Sequence, residues 1–288
     1  MLTREQEKPH TITRVLNHNV VLAEEPVSRQ EIVLFGKGIG FGAKPGNTIL
    51  PHDARVEKRF RLENESHQQQ YQTVLSQVDP AVVGIAEEII ALIAKEITPK
   101  LNEHIHVALP DHIQFAIYRL RNGMEIVNPF LFEIQTLYSK EFALAKRAAD
   151  MIKSSFSLDI PESEIGFLAL HIHSAISYMP VNKAVQFTNL ITELVGIIEE
   201  RTGKTIERNT VDYVRLITHL RYACERIRQQ KSIQNPLLDR VKATIPDSYE
   251  LAEELARHIA SRLDSPVPDD EVGYMAMHVF RLTNQPTE

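Results

Sequence analysis

Two pairs of histidines stand at one spacing: His112 precedes His171 by 59 residues, and His219 precedes His278 by the same 59. The second pair repeats the first at an offset of 107. Pro161-Glu-Ser-Glu-Ile-Gly-Phe-Leu-Ala-Leu-His171-Ile returns as Pro268-Asp-Asp-Glu-Val-Gly-Tyr-Met-Ala-Met-His278-Val. Asp111-His112-Ile-Gln-Phe-Ala returns as Thr218-His219-Leu-Arg-Tyr-Ala, and Asn102 as Asn209. Imidazole in such a pattern can hold a metal, move a proton or accept a phosphoryl group. Each histidine taken singly also fits a satisfied structural residue at the edge of an apolar face. A duplication copies structural residues together with functional ones, so these readings stay open at this point.

The competing chemistries are unequal. His104-x-His106 and His171-x-His173 add ligands for a metal in the first repeat, but Val211, Tyr213 and Phe280 stand at the matching positions of the second. No shared metal site and no metal or cofactor are therefore expected. Acid–base catalysis needs a partner carboxylate; Glu164 and Glu271 recur, yet they serve equally well as acids at helix starts. Phosphoryl acceptance asks only for a neutral imidazole, which the ring's ordinary pKa near 6.5 supplies at neutral pH.

The segments that must position these rings read as helices from residue 63 onward. Apolar residues recur at helical spacing over 81–97, 111–121, 128–156 and 161–178, then over 184–200, 209–230, 249–263 and 268–282. Each repeat thus predicts a bundle of about five helices. The first 62 residues differ. Thr11–Leu16 and Val20–Ala23 flank an Asn17-His18-Asn19 turn, Glu31–Phe35 reads as a strand, and Arg55–Leu62 as a half-buried one. The fold class is multi-domain, a small, mostly antiparallel β head before two homologous all-α bundles. The expected division is 1–62, with a flexible leader over 1–10, then 63–175 and 176–288. A head of this size is marginal alone, which favours self-association.

Composition narrows the function. The 288 residues carry 43% hydrophobic and 24% charged side chains, and no apolar run approaches the length of a membrane span. No secretory signal core opens the chain, and one cysteine, Cys224, excludes an intrachain disulfide and a cysteine-based zinc site. A cytoplasmic protein without membrane insertion is expected. The net charge of −6 conceals ten Lys/Arg against seven Asp/Glu in residues 1–62, a basic end on an acidic body compatible with a nucleic-acid-binding head. Glycines at 36, 38, 40 and 42 do not fit a dinucleotide fingerprint. They suit a bulged hairpin, or a backbone that nucleic acid approaches closely, with Lys37 for phosphate and Phe41 for stacking.

Together, Arg14-Val-Leu-Asn-His-Asn19-Val, Val33-Leu-Phe-Gly-Lys-Gly-Ile-Gly-Phe-Gly42 and Arg55-Val-Glu-Lys-Arg-Phe resemble the RNA-binding head of the BglG/SacY/LicT-type transcriptional antiterminators. Asp111-His112, Leu170-His171, Thr218-His219 and Met277-His278 resemble the marks of that family's two phosphotransferase-system regulation domains. Leu101-Asn-Glu-His-Ile-His106, with the glycine loop, is most similar to the glucose-permease branch. The resemblance implies a homodimeric, non-enzymatic regulator whose head grips a hairpin in leader mRNA and prevents a terminator from forming. It places RNA contacts at Arg14, Asn19, Gly36, Lys37, Gly38 and Phe41. Arg14 and Lys37 would meet phosphate, Phe41 would stack, and Asn19 with the glycine-loop backbone would read bases. It makes His112, His171, His219 and His278 phosphorylation sites. A sugar permease (enzyme II) would drive inhibition through the first pair, and the phosphocarrier HPr would act on the second. Lys37 departs from the arginine common there, which weakens bidentate recognition. The alternative is a DNA-binding activator with the same regulation domains, which the β-rich head argues against.

Overall fold

The computed structural model describes residues 8–208, 210–231 and 233–284. Residues 1–7 of the expected leader, and Asn209, lie outside the described residues, while His10 already opens the first strand.

The head is a five-stranded sheet of β1 (His10–Val15), β2 (Val20–Glu24), β3 (Glu31–Phe35), β4 (Thr48–Ile49) and β5 (Lys58–Arg61). Its order is β4-β1-β2-β3-β5 and every pairing is antiparallel, as the short strands and Asn-rich turn predict. The expected strand over 55–62 contracts to β5, and β4 forms after the turn at Pro45-Gly46, pairing with His10 and Thr11. Alternation gives the sheet two faces. Ile12, Val21, Ala23, Ile32 and Leu34 close one face over Ile39 and Ile49. Val20, Leu22 and Val33 are equally buried on the other.

Helices follow in the order α1 (Glu65–Gln77), α2 (Pro80–Glu96), α3 (Ile105–Arg121), α4 (Leu131–Leu137), α5 (Ser139–Phe156) and α6 (Glu162–Ser177). The second series is α7 (Val181–Thr202), α8 (Val211–Arg228), α9 (Leu238–Thr244), α10 (Pro246–Leu263) and α11 (Asp269–Thr283). Asn64 caps α1, its side chain accepting from the Ser66 and His67 N–H groups, and Asp79 caps α2 with Pro80 in the first turn. Helix α2 lies against β2 and β3, so the face of the sheet that a lone head would expose is covered within the chain.

Two of the expected helices differ substantially from the structure, the others shifting by at most three residues at either end. Helix α3 begins at Ile105 and runs through Pro110 rather than starting at Asp111. Pro110 sits early in the helix, so it forfeits one backbone bond near an end where i−3 bonds such as Val107 N–H to His104 O already operate. The expected continuous helix over 128–156 is broken at Tyr138 (φ −125°, ψ 43°) into α4 and α5. Ile245 breaks the second repeat at the matching position (φ −132°, ψ 57°), and there Pro246 supplies the cause, since proline disfavours the helical conformation at its predecessor.

The chain forms two compact units, residues 1–128 with 140–181, and residues 129–139 with 182–288. Helix α4 therefore belongs with the second unit, where it packs on α8 and the Tyr213 hydroxyl donates to the buried Glu133 carboxylate at 2.6 Å. Its counterpart α9 packs on α10 and α11.

Candidate phosphoacceptor pairs and nucleic-acid face

In the first unit, α3 and α6 pack together and carry His112 and His171. The rings stack with centroids 4.4 Å apart and 29° between planes. Seven residues beyond His112, two turns along the same helix face, stands Arg119; seven before His171 stands Glu164. Glu164 is 0% exposed and takes the Arg119 guanidinium on Oε1, while its Oε2 lies 3.5 Å from His112 Nε2. In the second unit α8 and α11 reproduce the arrangement. His219 and His278 stack at 3.8 Å, and Arg226 forms a fork on Glu271 with bonds of 2.5 and 2.7 Å. The glutamates thus do more than serve as helix-start charges. Each is the buried anchor of an arginine whose field reaches the histidine pair.

Electrostatics keep these rings neutral. Burial, then His171 and Arg119, hold His112 well below its ordinary pKa. Burial, with His104, brings His171 down to about 4. Burial, then His219 and the nearby arginines, brings His278 to about 4, and burial with Arg226 lowers His219. A neutral imidazole keeps a nitrogen lone pair, so each pair is nucleophilic at neutral pH. Glu164 is pushed upward by burial, against the pull of Arg119.

The two pairs differ in access. His112 and His171 are half-buried, whereas His219 is exposed. His278 opens on a groove of about 650 Å³ lined by Asp212, Arg215, Phe280, Arg281 and Asn284. The first repeat has Ala108 and Ser174 where those arginines stand. His106 and His173, weighed above as metal ligands, each face a carboxylate instead: Glu87 at 2.8 Å and Glu141 at 2.9 Å.

On the head, the β1–β2 turn and the glycine loop meet. Asn19 Oδ1 accepts from the Gly38 N–H at 3.0 Å, and the Gly40 N–H donates to the His18 carbonyl at 2.9 Å. Gly38 adopts φ +71°, which turns the chain so that Phe41 stands 76% exposed beside the His18 ring at 5.7 Å. Lys37 is exposed next to them. Asn19, Lys37, Gly38 and Phe41 therefore share one surface. Gly36 is buried beneath it, its N–H donating to the Asn19 carbonyl, and a Cβ there would lie 1.8 Å from the Arg55 carbonyl oxygen. Arg14 turns away, its guanidinium donating to the Leu75 carbonyl of α1. Three residues that sequence reasoning passed over join these groups: His18 beside Phe41, and Asn17 and Glu88, described below.

The profile of the CAT RNA binding domain matches residues 10–69, and that of the PRD domain matches residues 87–175 and again 192–282. The PtsGHI operon antiterminator of Bacillus subtilis (strain 168) is 40% identical over 277 residues, 96% of this chain and 98% of the relative. The transcription antiterminator LicT of the same organism is 31% identical over 277 residues, 95% and 99% of the two chains. A crystal structure of GlcT CAT-PRDI is 46% identical, covers 58% of this chain and 98% of its own, and superposes with a TM-score of 0.49. No described helix is long and apolar enough to cross a membrane. The chain therefore belongs to the BglG/SacY/LicT-type transcription antiterminators, RNA-binding regulators with two PRD domains under phosphorylation control by the sugar phosphotransferase system.

Proposed function

We propose that this protein acts in the cytoplasm as a homodimer that stabilises a hairpin in the leader mRNA of a glucose-type permease operon, and that it does so without turnover of its own. Its division is 1–62 for RNA and 63–175 and 176–288 for regulation. The enzyme II permease acts on His112 and His171, and HPr acts on His219 and His278. Asn19, Lys37, Gly38 and Phe41 face the RNA; Gly36 shapes the loop beneath them, and Arg14 reaches phosphate once it leaves Leu75. The observation that carries this reading is the duplicated stack of neutral histidines over a buried Arg–Glu pair.

The chemistry is phosphoryl transfer to imidazole. A lone pair on the acceptor nitrogen attacks phosphorus, and the bond from phosphorus to the donor's side chain breaks. The donor leaves with that electron pair and takes up a proton, while the acceptor ring releases the one on its other nitrogen. The product adds about two negative charges to a ring that carried none. Arg119 or Arg226 is then claimed by both the phosphoryl oxygens and its glutamate, so the packing of α3 on α6, or of α8 on α11, has two competing arrangements. The open, cationic groove at His278 suits a phosphorylated protein donor better than the closed first pair does.

The test is to incubate full-length protein with phosphoenolpyruvate, enzyme I and HPr, with and without the glucose enzyme II, and to map phosphohistidine by mass spectrometry. Label on His219 or His278 with HPr alone, extended to His112 or His171 by the permease, is expected. No label on any of the four refutes the assignment. In parallel, Phe41→Ala should weaken binding to the ptsGHI leader hairpin by about 1–3 kcal/mol, the contribution of a stacked base.

A further inference from the structure

The head's asparagine turn is occupied from inside the protein. Asn17 Nδ2 donates to Glu88 Oε1 at 2.7 Å, and Asn19 Nδ2 donates to Glu88 Oε2 at 3.1 Å, so one carboxylate of α2 takes both amides. The amide orientations are fixed by their other ends. Asn17 Oδ1 accepts from the Asn19 N–H at 2.8 Å, and Asn19 Oδ1 accepts from the Gly38 N–H. What the turn presents outward is therefore a pair of N–H donors, and any occupant must offer acceptor oxygens. A carboxylate does; so do RNA phosphates and base carbonyls.

Helix α2 is built to receive this turn. Gly84, one turn before Glu88, lies beneath Asn17; a Cβ there would stand 2.6 Å from Asn17 Nδ2 and 2.8 Å from its Cγ. Around the contact runs a groove of about 460 Å³ lined by His18, Glu88, Asp150, Met151 and Ser155, a wall whose charges repel phosphate.

The second repeat shows what Glu88 would otherwise do. Glu88-Ile-Ile-Ala-Leu-Ile93 matches Glu193-Leu-Val-Gly-Ile-Ile198, and Glu193 is neutralised within its own bundle. His258 Nε2 lies 2.7 Å from its Oε2, and Arg262 Nε donates to the same oxygen at 3.0 Å. At the corresponding positions of α5 the first repeat has Met151 and Ser155. The cations are gone, the glutamate is kept, and it binds the head instead.

We propose that Glu88 is an internal ligand of the RNA-reading surface: its carboxylate holds Asn17 and Asn19 in the closed state, and RNA acceptor oxygens replace it in the open one. The proposal rests on the reading that the Asn19 turn faces RNA. It gives the first regulation domain a direct hold on the head. Any rearrangement of that bundle that withdraws α2 exposes the donors, and RNA binding withdraws α2 in turn.

The test measures affinity of the full-length chain for the ptsGHI leader hairpin by fluorescence anisotropy. Glu88→Gln and Glu88→Ala should tighten binding roughly ten-fold by removing the competing closed state. Gly84→Ala, which displaces Asn17 while leaving the charge in place, should act in the same direction. Asp150→Asn removes an equal charge from the groove without touching the amides, and should have the smaller effect. Unchanged or weakened binding in both Glu88 variants overturns the proposal, and so does equal tightening by Asp150→Asn. Asn19→Ala separates the two layers. If it costs no affinity in either the wild-type or the Glu88→Ala background, the RNA-facing reading of the turn fails. If it costs affinity while Glu88→Ala gains none, only the internal ligand fails.

Discussion

Replacing Arg119 by alanine isolates the buried anchor beneath the first histidine pair. Glu164 is fully buried and its Oε1 is held by the Arg119 guanidinium. Removing one partner of a buried pair costs about 3–5 kcal/mol, because the remaining charge keeps its burial penalty without its compensation. The carboxyl can escape that penalty by keeping its proton. Burial already raises the pKa of Glu164 despite Arg119, and losing the arginine raises it further. A carboxyl with a raised folded-state pKa contributes stability below its unfolded pKa and loses it as pH rises through the folded one. The deficit of Arg119→Ala should therefore be smallest near pH 4.5 and grow by up to about 1.4 kcal/mol per pH unit until Glu164 ionises. The apolar replacement Arg119→Met/Glu164→Leu removes both charges and should recover most of the loss. Urea unfolding of the three proteins at about pH 5.5 and about pH 7.5, followed by circular dichroism, measures this. A single variant within about 1 kcal/mol of wild type at the higher pH would refute the reasoning. So would a double variant as unstable as the single one.

Two other outcomes follow from the same geometry. Burial holds His171 at about 4, below its unfolded value near 6.5, so unfolding takes up a proton between those limits. Stability should fall as pH drops through that window, by about 3 kcal/mol from this ring alone; a His171→Leu protein whose pH profile superimposes on wild type would exclude it. Gly36→Ala should disrupt the head and abolish RNA binding, because the new Cβ meets the Arg55 carbonyl at 1.8 Å, whereas Gly38→Ala meets no atom within 4 Å and should cost only about 1–2 kcal/mol of backbone strain. Equal losses in thermal unfolding would show that the close approach at Gly36 is not what the fold requires.

Much of the architecture was legible before any coordinates. Short apolar, β-branched runs at Val20–Ala23 and Glu31–Phe35 gave strands, and the asparagines at 17 and 19 gave the turn that precedes the first of them. The break at Tyr138 was hidden in the first repeat, where an apolar, helix-compatible run crosses it. Pro246 marked the same break in the second, and comparison of the copies would have exposed it. Helix α1 escaped because it is polar, burying only Tyr71, Val74 and Leu75. The seven-residue spacings from His112 to Arg119 and from Glu164 to His171 were visible as well. Their meaning was not, because an acid in the first turn of a helix satisfies the dipole whether or not an arginine reaches it.

By itself the sequence determined that the chain is a duplicated helical module behind a β-rich head, with four histidines kept in register. Periodicity and repetition are properties of the chain's own order, and they survive without knowing what packs on what. Tertiary structure alone decided that each histidine pair stacks, that each arginine is spent on a buried glutamate, and that Glu88 reaches back to Asn17 and Asn19. Those contacts join residues 45 to 71 positions apart, and only the packing of one element on another brings such residues within hydrogen-bonding distance.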